Sequence, residues 1–193
     1  MKFKKIIFLI ILLFLTTAAA RKNASFVGTS VCKQCHESDA IGNQYKAWQQ
    51  SPHAKAYLLL KQDKALTLAK ELNIENPATN EQCLKCHTTG LGKNPLLWED
   101  GVGCESCHGP GSIYYSYENH VALGNREVSY KKAISLGMYP ILGTDGIKAR
   151  EKVCRSCHNA KRPCYPKDPV LQQHQFLPLQ LIAEFAFPHR LKR

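Results

Sequence analysis

Cysteine and histidine recur together four times at one spacing: Cys32-Lys33-Gln34-Cys35-His36, Cys83-Leu84-Lys85-Cys86-His87, Cys104-Glu105-Ser106-Cys107-His108 and Cys154-Arg155-Ser156-Cys157-His158. Two thiols separated by two residues can reach both vinyl groups of one porphyrin and close a thioether to each. The histidine that follows then lies under the ring with its imidazole aimed at the iron. This is the attachment pattern of a c-type haem. Paired zinc ribbons and disulfide frameworks also use Cys-x-x-Cys, but neither needs a histidine straight after every second cysteine. Histidine makes up 8 of 193 residues, so four such placements arise by chance about three times in a million. The uneven gaps between the motifs also suit no repeated ribbon. Four c-type haems therefore account for eight of the nine cysteines, with His36, His87, His108 and His158 as proximal iron ligands.

What each iron can do depends on the far side of its ring. A second histidine gives a low-spin electron-transfer haem, whereas an open position admits small molecules. His53, His120, His174 and His189 are the remaining histidines. His53 follows Ser51-Pro52, which reads as a helix cap and first helical residue, so its imidazole has a rigid mount. His120 follows Tyr114-Tyr115-Ser116-Tyr117, an aromatic run that could pack beside a porphyrin. His174 and His189 lie in the C-terminal tail. Met138 could also ligate iron, although a methionine more ordinarily fills gaps in a core.

The elements that must position these groups are helical. Residues 53–72 contain no Gly or Pro and are rich in Ala, Leu and Lys. Leu58, Ala65, Ala69 and Leu72 recur at helical spacing, which predicts one long helix from Pro52, about 30 Å at 1.5 Å per residue. Asn76-Pro77 ends it. Gly90-Leu91-Gly92 and Asn94-Pro95 predict an irregular connection, and Gly101, Gly103, Gly109 and Gly111 allow tight turns or close approach to a porphyrin face. Residues 125–142 read as a weaker helix and loop. The fold class expected is mainly α, with helices and long loops wrapped around four covalent haems and little or no sheet.

Residues 1–20 have the form of a cleaved secretory signal: Lys2, Lys4 and Lys5, an apolar stretch over 6–15, then Thr16-Thr17-Ala18-Ala19-Ala20. The apolar run is short for a bilayer crossing, so no membrane span is expected after cleavage, and the location implied is periplasmic; the alternative is an uncleaved anchor that keeps the chain membrane-associated. Lys2, Lys4 and Lys5 leave with the signal and no acidic residue does, which takes the formal +11 down by three to +8. Eight haem propionates bring about −8. The basic excess thus offsets cofactor charge, and no nucleic-acid partner is expected. About 173 residues remain for one domain, roughly 43 per haem, so the porphyrins must supply much of the core.

Three stretches resemble the tetrahaem cytochrome c family of nitrifying bacteria, whose best-known member accepts electrons from hydroxylamine oxidoreductase. They are Cys35-His36 through Trp48 to Ser51-Pro52-His53-Ala54-Lys55-Ala56, Cys86-His87-Thr88-Thr89-Gly90-Leu91-Gly92, and Gly101-Val102-Gly103-Cys104-Glu105-Ser106-Cys107-His108-Gly109-Pro110-Gly111. The resemblance covers roughly residues 27–159. It implies a mainly helical fold with closely stacked haem pairs, His53 and His120 as distal ligands, and no protein sixth ligand on the haem of Cys83, Cys86 and His87. It further implies that His53 serves the haem of His158. The function implied is a periplasmic electron carrier between redox partners, its donor resembling a hydroxylamine-oxidoreductase-like multihaem enzyme. The alternative is an enzyme reducing a nitrogen oxide, such as nitric oxide, at the His87 haem. Residues 21–160 form the tetrahaem domain on this reading. The tail, 161–193, departs from the pattern, with unpaired Cys164 and Pro188-His189. Either a frameshift near Ala160 makes it non-native, or it is divergent and supplies the third distal ligand from His189 or His174.

Overall fold

The computed structural model describes residues 24–165. The signal-like segment 1–20, His174 and His189 lie outside the described residues. In chain order the helices are α1 (Thr29–His36), α2 (Gln44–Gln49), α3 (Ala56–Leu59), α4 (Asp63–Glu71), α5 (Glu81–His87), α6 (Cys104–His108), α7 (Tyr117–His120), α8 (Arg126–Ser135) and α9 (Ile147–Cys157). Two 3-10 segments, Thr89–Gly92 and Pro95–Asp100, link α5 to α6. No strand occurs among the described residues, so the fold is mainly α as the sequence predicts. None of their helices is long and apolar enough to cross a membrane.

Every attachment motif lies on a helix, and the reason is geometric. Positions i, i+3 and i+4 share one face at 3.6 residues per turn, so both sulfurs and the imidazole point the same way. The first three motifs end α1, α5 and α6 on their histidines. In the fourth, Cys157 ends α9 and His158 is its C-cap, already out of helical geometry at φ −84° and ψ 78°. Asparagines start several of these elements. The Asn80 side chain accepts from Gln82 N–H before α5, and Asn125 accepts from Glu127 and Val128 N–H before α8. The expected helix within 125–142 is therefore present, shortened to Arg126–Ser135.

The predicted continuous helix over 53–72 is not. Residues 51–55 form turns, with Lys55 N–H on the Pro52 carbonyl and Ala56 N–H on that of His53. Ser51 does not cap a helix: its Oγ is buried with no hydrogen-bond partner. The run then breaks between α3 and α4, where Gln62 is extended at φ −91° and ψ 155°. Two burial demands split it. Tyr57 and Leu60 join Ala78 and Leu84 in one core cluster, while Leu68 and Ala69 line a cavity beside the second motif. Leu58, expected on the buried face, is exposed. Nor does α4 run to Asn76-Pro77. Asn73 takes the left-handed conformation at φ 54°, Ile74 N–H bonds the Ala69 carbonyl at 2.8 Å, and Asn73 N–H that of Lys70. That is a Schellman stop one residue beyond the Leu72 cap.

The protein core is thin. A second cluster holds Tyr114, Ala133 and Met138, with Tyr130 and Leu136 against it. Met138 is thus a packing residue. α1 touches α6, and α9 touches both α5 and α6, which brings all four motif helices into one neighbourhood.

Candidate haem sites

Carboxylates from later in the chain fasten the first motif to the third. Gly28, the N-cap of α1, has no side chain to offer the free N–H groups there. Asp100 accepts from Thr29 N–H at 2.9 Å, and Glu105 accepts from Gly28 N–H at 2.8 Å and from Val27 N–H. The helix that presents Cys32, Cys35 and His36 is therefore capped by the loop and helix presenting Cys104, Cys107 and His108. Thr89 pins the same region: its hydroxyl donates to the Gly101 carbonyl at 3.1 Å and accepts from Gly103 N–H at 2.8 Å.

The attachment thiols meet across motifs. A hydrogen bond between Cys32 and Cys104 draws the Cys32 thiol below its ordinary range and pushes that of Cys104 up, burial adding to the second shift. Cys86 and Cys157 repeat the arrangement. Contact with Cys86 lowers Cys157 to about 6, and the same contact together with burial raises Cys86. Cys107 is pushed up to about 12, by burial first and then by Cys154 and Cys157. No disulfide joins any of them. A thioether does not titrate, so what carries over to a haem-bearing chain is the adjacency: first motif beside third, second beside fourth, and third near fourth.

The histidines form two facing pairs. The His53 and His158 rings lie 6.0 Å apart, centroid to centroid, at 71°. Those of His36 and His120 lie 6.1 Å apart at 82°. Two metal–imidazole bonds of about 2 Å, plus roughly 1.2 Å from each donor nitrogen to its ring centre, put facing centroids about 6 Å apart. The donor set and its spacing therefore fit one iron between each pair. Burial lowers the pKa of His53, His120 and His158; His36 adds to this at His120, and His53 and then Arg162 at His158. Neutral imidazole is the ligating form. Tyr114 stacks on His120 at 5.8 Å, whereas Tyr115 and Tyr117 of the same aromatic run are exposed.

Outer partners orient the proximal rings. The Gln44 Oε1 lies 3.1 Å from His36 Nδ1, and Gln44 Nε2 donates to the Ile41 carbonyl, which fixes the amide as an acceptor toward the imidazole. The Ala56 carbonyl lies 2.7 Å from His87 Nδ1. Each arrangement puts the proton on Nδ1 and frees Nε2 for a metal. His158 differs: Arg162 Nη1 faces its Nδ1 at 3.4 Å. Both groups would be donors once Nε2 took iron, so this long contact must open on ligation.

At the second motif, Cys83, Cys86 and His87 line a cavity of about 350 Å³. Its walls are apolar, with Leu60, Leu68, Ala69, Leu72, Ile74 and Pro77 among them. This volume is in the range of cofactor and ligand pockets, and its lining suits a porphyrin edge. Exposed Cys164 and Arg162 border it. His108 is the third proximal candidate; its carbonyl accepts from Tyr139 N–H at 2.9 Å. Its expected distal partners, His174 and His189, lie outside the described residues. Asp100 and Gln44 were not singled out in the sequence. The signal available was an acidic residue just before Gly101-Val102-Gly103 for the first, and for the second only spacing within a short helix. Among the described residues no three His, Cys, Asp or Glu side chains converge as a closed zinc site requires.

Residues 31–109 match the family described as Cytochrome c554 and c-prime. The chain is also 34% identical over 99 residues to Cytochrome c-554 of Nitrosomonas europaea, an alignment covering 46% of this chain and 40% of that relative. No solved structure matches. The matched stretch contains three of the four motifs, together with His53, Asp100 and the capping Glu105, so over residues 31–109 the chain is similar to the cytochrome c554 and c-prime family.

Proposed function

We propose that the chain is an exported tetrahaem c-type cytochrome that carries single electrons between redox proteins. The observation that carries this reading is the convergence of four Cys-x-x-Cys-His helices whose thiols abut in pairs. When bound, haem would supply a one-electron iron couple. The residues do the rest. Cys32 and Cys35, Cys83 and Cys86, Cys104 and Cys107, and Cys154 and Cys157 anchor the four groups. His36 with His120, and His158 with His53, close the axial positions of the first and fourth, while His87 and His108 hold the second and third from one side. His189 or His174 completes the third. Because both axial positions of these two irons would be filled, electrons and not substrates would have access there.

Redox partner proteins follow from this reading, with a multihaem enzyme of the hydroxylamine-oxidoreductase kind as donor, and no nucleic acid. The location is periplasmic, with residues 1–20 removed and 21–160 forming the cytochrome domain. Mass spectrometry of protein matured in a haem-attaching host tests the reading directly: four covalent haems are expected, and fewer would sink it. The same spectra check the reading frame beyond Ala160. A peptide from 161–193 excludes a frameshift.

A second reading is favoured by the cavity beside His87. An iron held there by His87 alone could bind and reduce a small nitrogen oxide such as nitric oxide. Added nitric oxide or cyanide then changes the spectrum of one haem in four. A wholly low-spin protein that ignores both excludes that reading and leaves electron transport standing.

A further inference from the structure

The third motif carries a carboxylate that neither thioether attachment nor axial ligation uses. Glu105 is 2% exposed. Val27 N–H reaches both its oxygens at 3.0 Å, Gly28 N–H reaches Oε2 at 2.8 Å and Gly111 N–H reaches Oε1 at 2.6 Å. All three partners are donors. That suits an ionised carboxylate, whereas a protonated acid would have to aim its O–H at an N–H. Among the described residues Glu105 forms no ion pair. Its charge is solvated by backbone dipoles and not cancelled by a cation. Gly111 approaches so closely that a Cβ there would lie 2.9 Å from Oε1, so the cradle is shaped to the carboxylate. Cys32 and Cys104 both lie within reach of its field. The equivalent position holds Lys33, Leu84 and Arg155 in the other motifs, so this charge belongs to the first and third motifs alone.

We propose that Glu105 is a fixed interior negative charge that lowers the reduction potentials of the irons attached at the first and third motifs. The inference rests on reading those motifs as haem sites. Ferric iron carries one more positive charge than ferrous, and an uncompensated carboxylate nearby stabilises that extra charge. The low-dielectric interior keeps water from screening it. Capping α1 explains the bonds from Val27 and Gly28 N–H, and holding the turn after α6 explains that from Gly111 N–H, but those roles alone leave the potentials untouched. Glu105 is thus a positioning residue with an electrostatic consequence. It makes the pair joined by Cys32 and Cys104 the half of the protein that gives up its electrons more readily.

The test compares the four-haem protein with its E105Q and E105D variants by spectroelectrochemical titration, with haem count by mass and spin state by visible spectroscopy. E105Q removes the charge and keeps the shape. It should retain four haems and their spin states while two midpoints rise, with the ferric-to-ferrous ratio at a fixed potential falling about tenfold, or 59 mV for a one-electron couple. E105D keeps the charge on a shorter arm. It should lower thermal stability while leaving the midpoints near those of the parent. A four-haem E105Q with unmoved midpoints overturns the proposal and leaves the attachment reading standing. So does an E105D whose midpoints rise as far as those of E105Q, since lost packing would then be the cause. A parent protein with no haem at the first or third motif sinks both. If E105Q does not assemble, stepwise reduction of the parent decides by haem-methyl NMR. The haems of His36 and His108 must stay ferric longest, and early reduction of either overturns the proposal.

Discussion

The His53 ring faces that of His158 across 105 residues of sequence at a separation that fits one iron. The smallest test of the whole arrangement is therefore at a single side chain. His53→Ala removes one axial ligand and leaves the thioethers of Cys154 and Cys157 in place. One haem of four should pass from low to high spin, visible in the ferric absorption and electron paramagnetic resonance spectra, with the haem count unchanged. Four unchanged spin states would show that His53 ligates nothing. Legibility at this scale followed chemistry. The proximal histidines were readable because haem attachment imposes a fixed spacing on Cys, Cys and His. No local rule ties His53 to His158 or His120 to His36. Distal pairing is a tertiary matter: the residues around His53 and His120 marked them as candidate ligands, and only the family resemblance pointed to the haem that His53 would serve. Gln44 was invisible for a similar reason: a glutamine beside an imidazole leaves no pattern in sequence, although its amide is what orients His36.

At the scale of elements, the sequence reading failed where two burial demands compete within one run of good helix formers. Residues 53–72 have the composition of a helix, but a single straight helix cannot serve both the Tyr57–Leu84 cluster and the cavity at His87. The chain breaks at Gln62. What positions His53 is instead the turn before α3, clamped from outside. Val102 N–H donates to the His53 carbonyl at 3.0 Å, and Trp48 Nε1 donates to the Val102 carbonyl at 3.0 Å. Gly101 makes the clamp possible. It sits at φ 59° and ψ −138°, and a Cβ there would lie 2.6 Å from the His53 carbonyl oxygen and 2.9 Å from that of Ala54. The close approach its missing side chain permits is thus to protein backbone. Gly101→Ala combines this overlap with a backbone conformation that costs about 1–3 kcal/mol for a residue with a side chain. It should lower thermal stability by at least that amount and produce part of the His53→Ala spin change, because the clash falls on the histidine's own carbonyl. A variant that melts like the parent and stays fully low spin would show that the clamp does not position the ligand.

For the whole molecule, the weight falls on what is missing from the protein's own core. Twelve apolar side chains are buried among residues 24–165, in clusters of four and three with a few outliers, and four of the twelve are alanines. Several helices are only four to six residues long, well below the length at which a helix holds itself together in water. Such elements persist only when something packs against them. The four motif helices lie in one neighbourhood, with Cys32 against Cys104 and Cys86 against Cys157. Folding is therefore expected to depend on the cofactor, in the way that metal binding and folding become one event when no preformed site survives in the unfolded chain. Protein made without haem attachment, or with all eight motif cysteines changed to alanine, should lose most of its far-ultraviolet helical signal and be cleaved rapidly by protease throughout residues 24–165. The matured protein should resist cleavage there and unfold in a cooperative transition. On the proposed reading distal histidines would add to this coupling, since His53 would tie the early chain to the last motif through iron. The His53→Ala protein should thus unfold at lower denaturant concentration than the parent while still carrying four haems. An apoprotein that keeps the helicity and protease resistance of the matured form would show that the small apolar clusters suffice, and that the haems are guests of the fold and not its core.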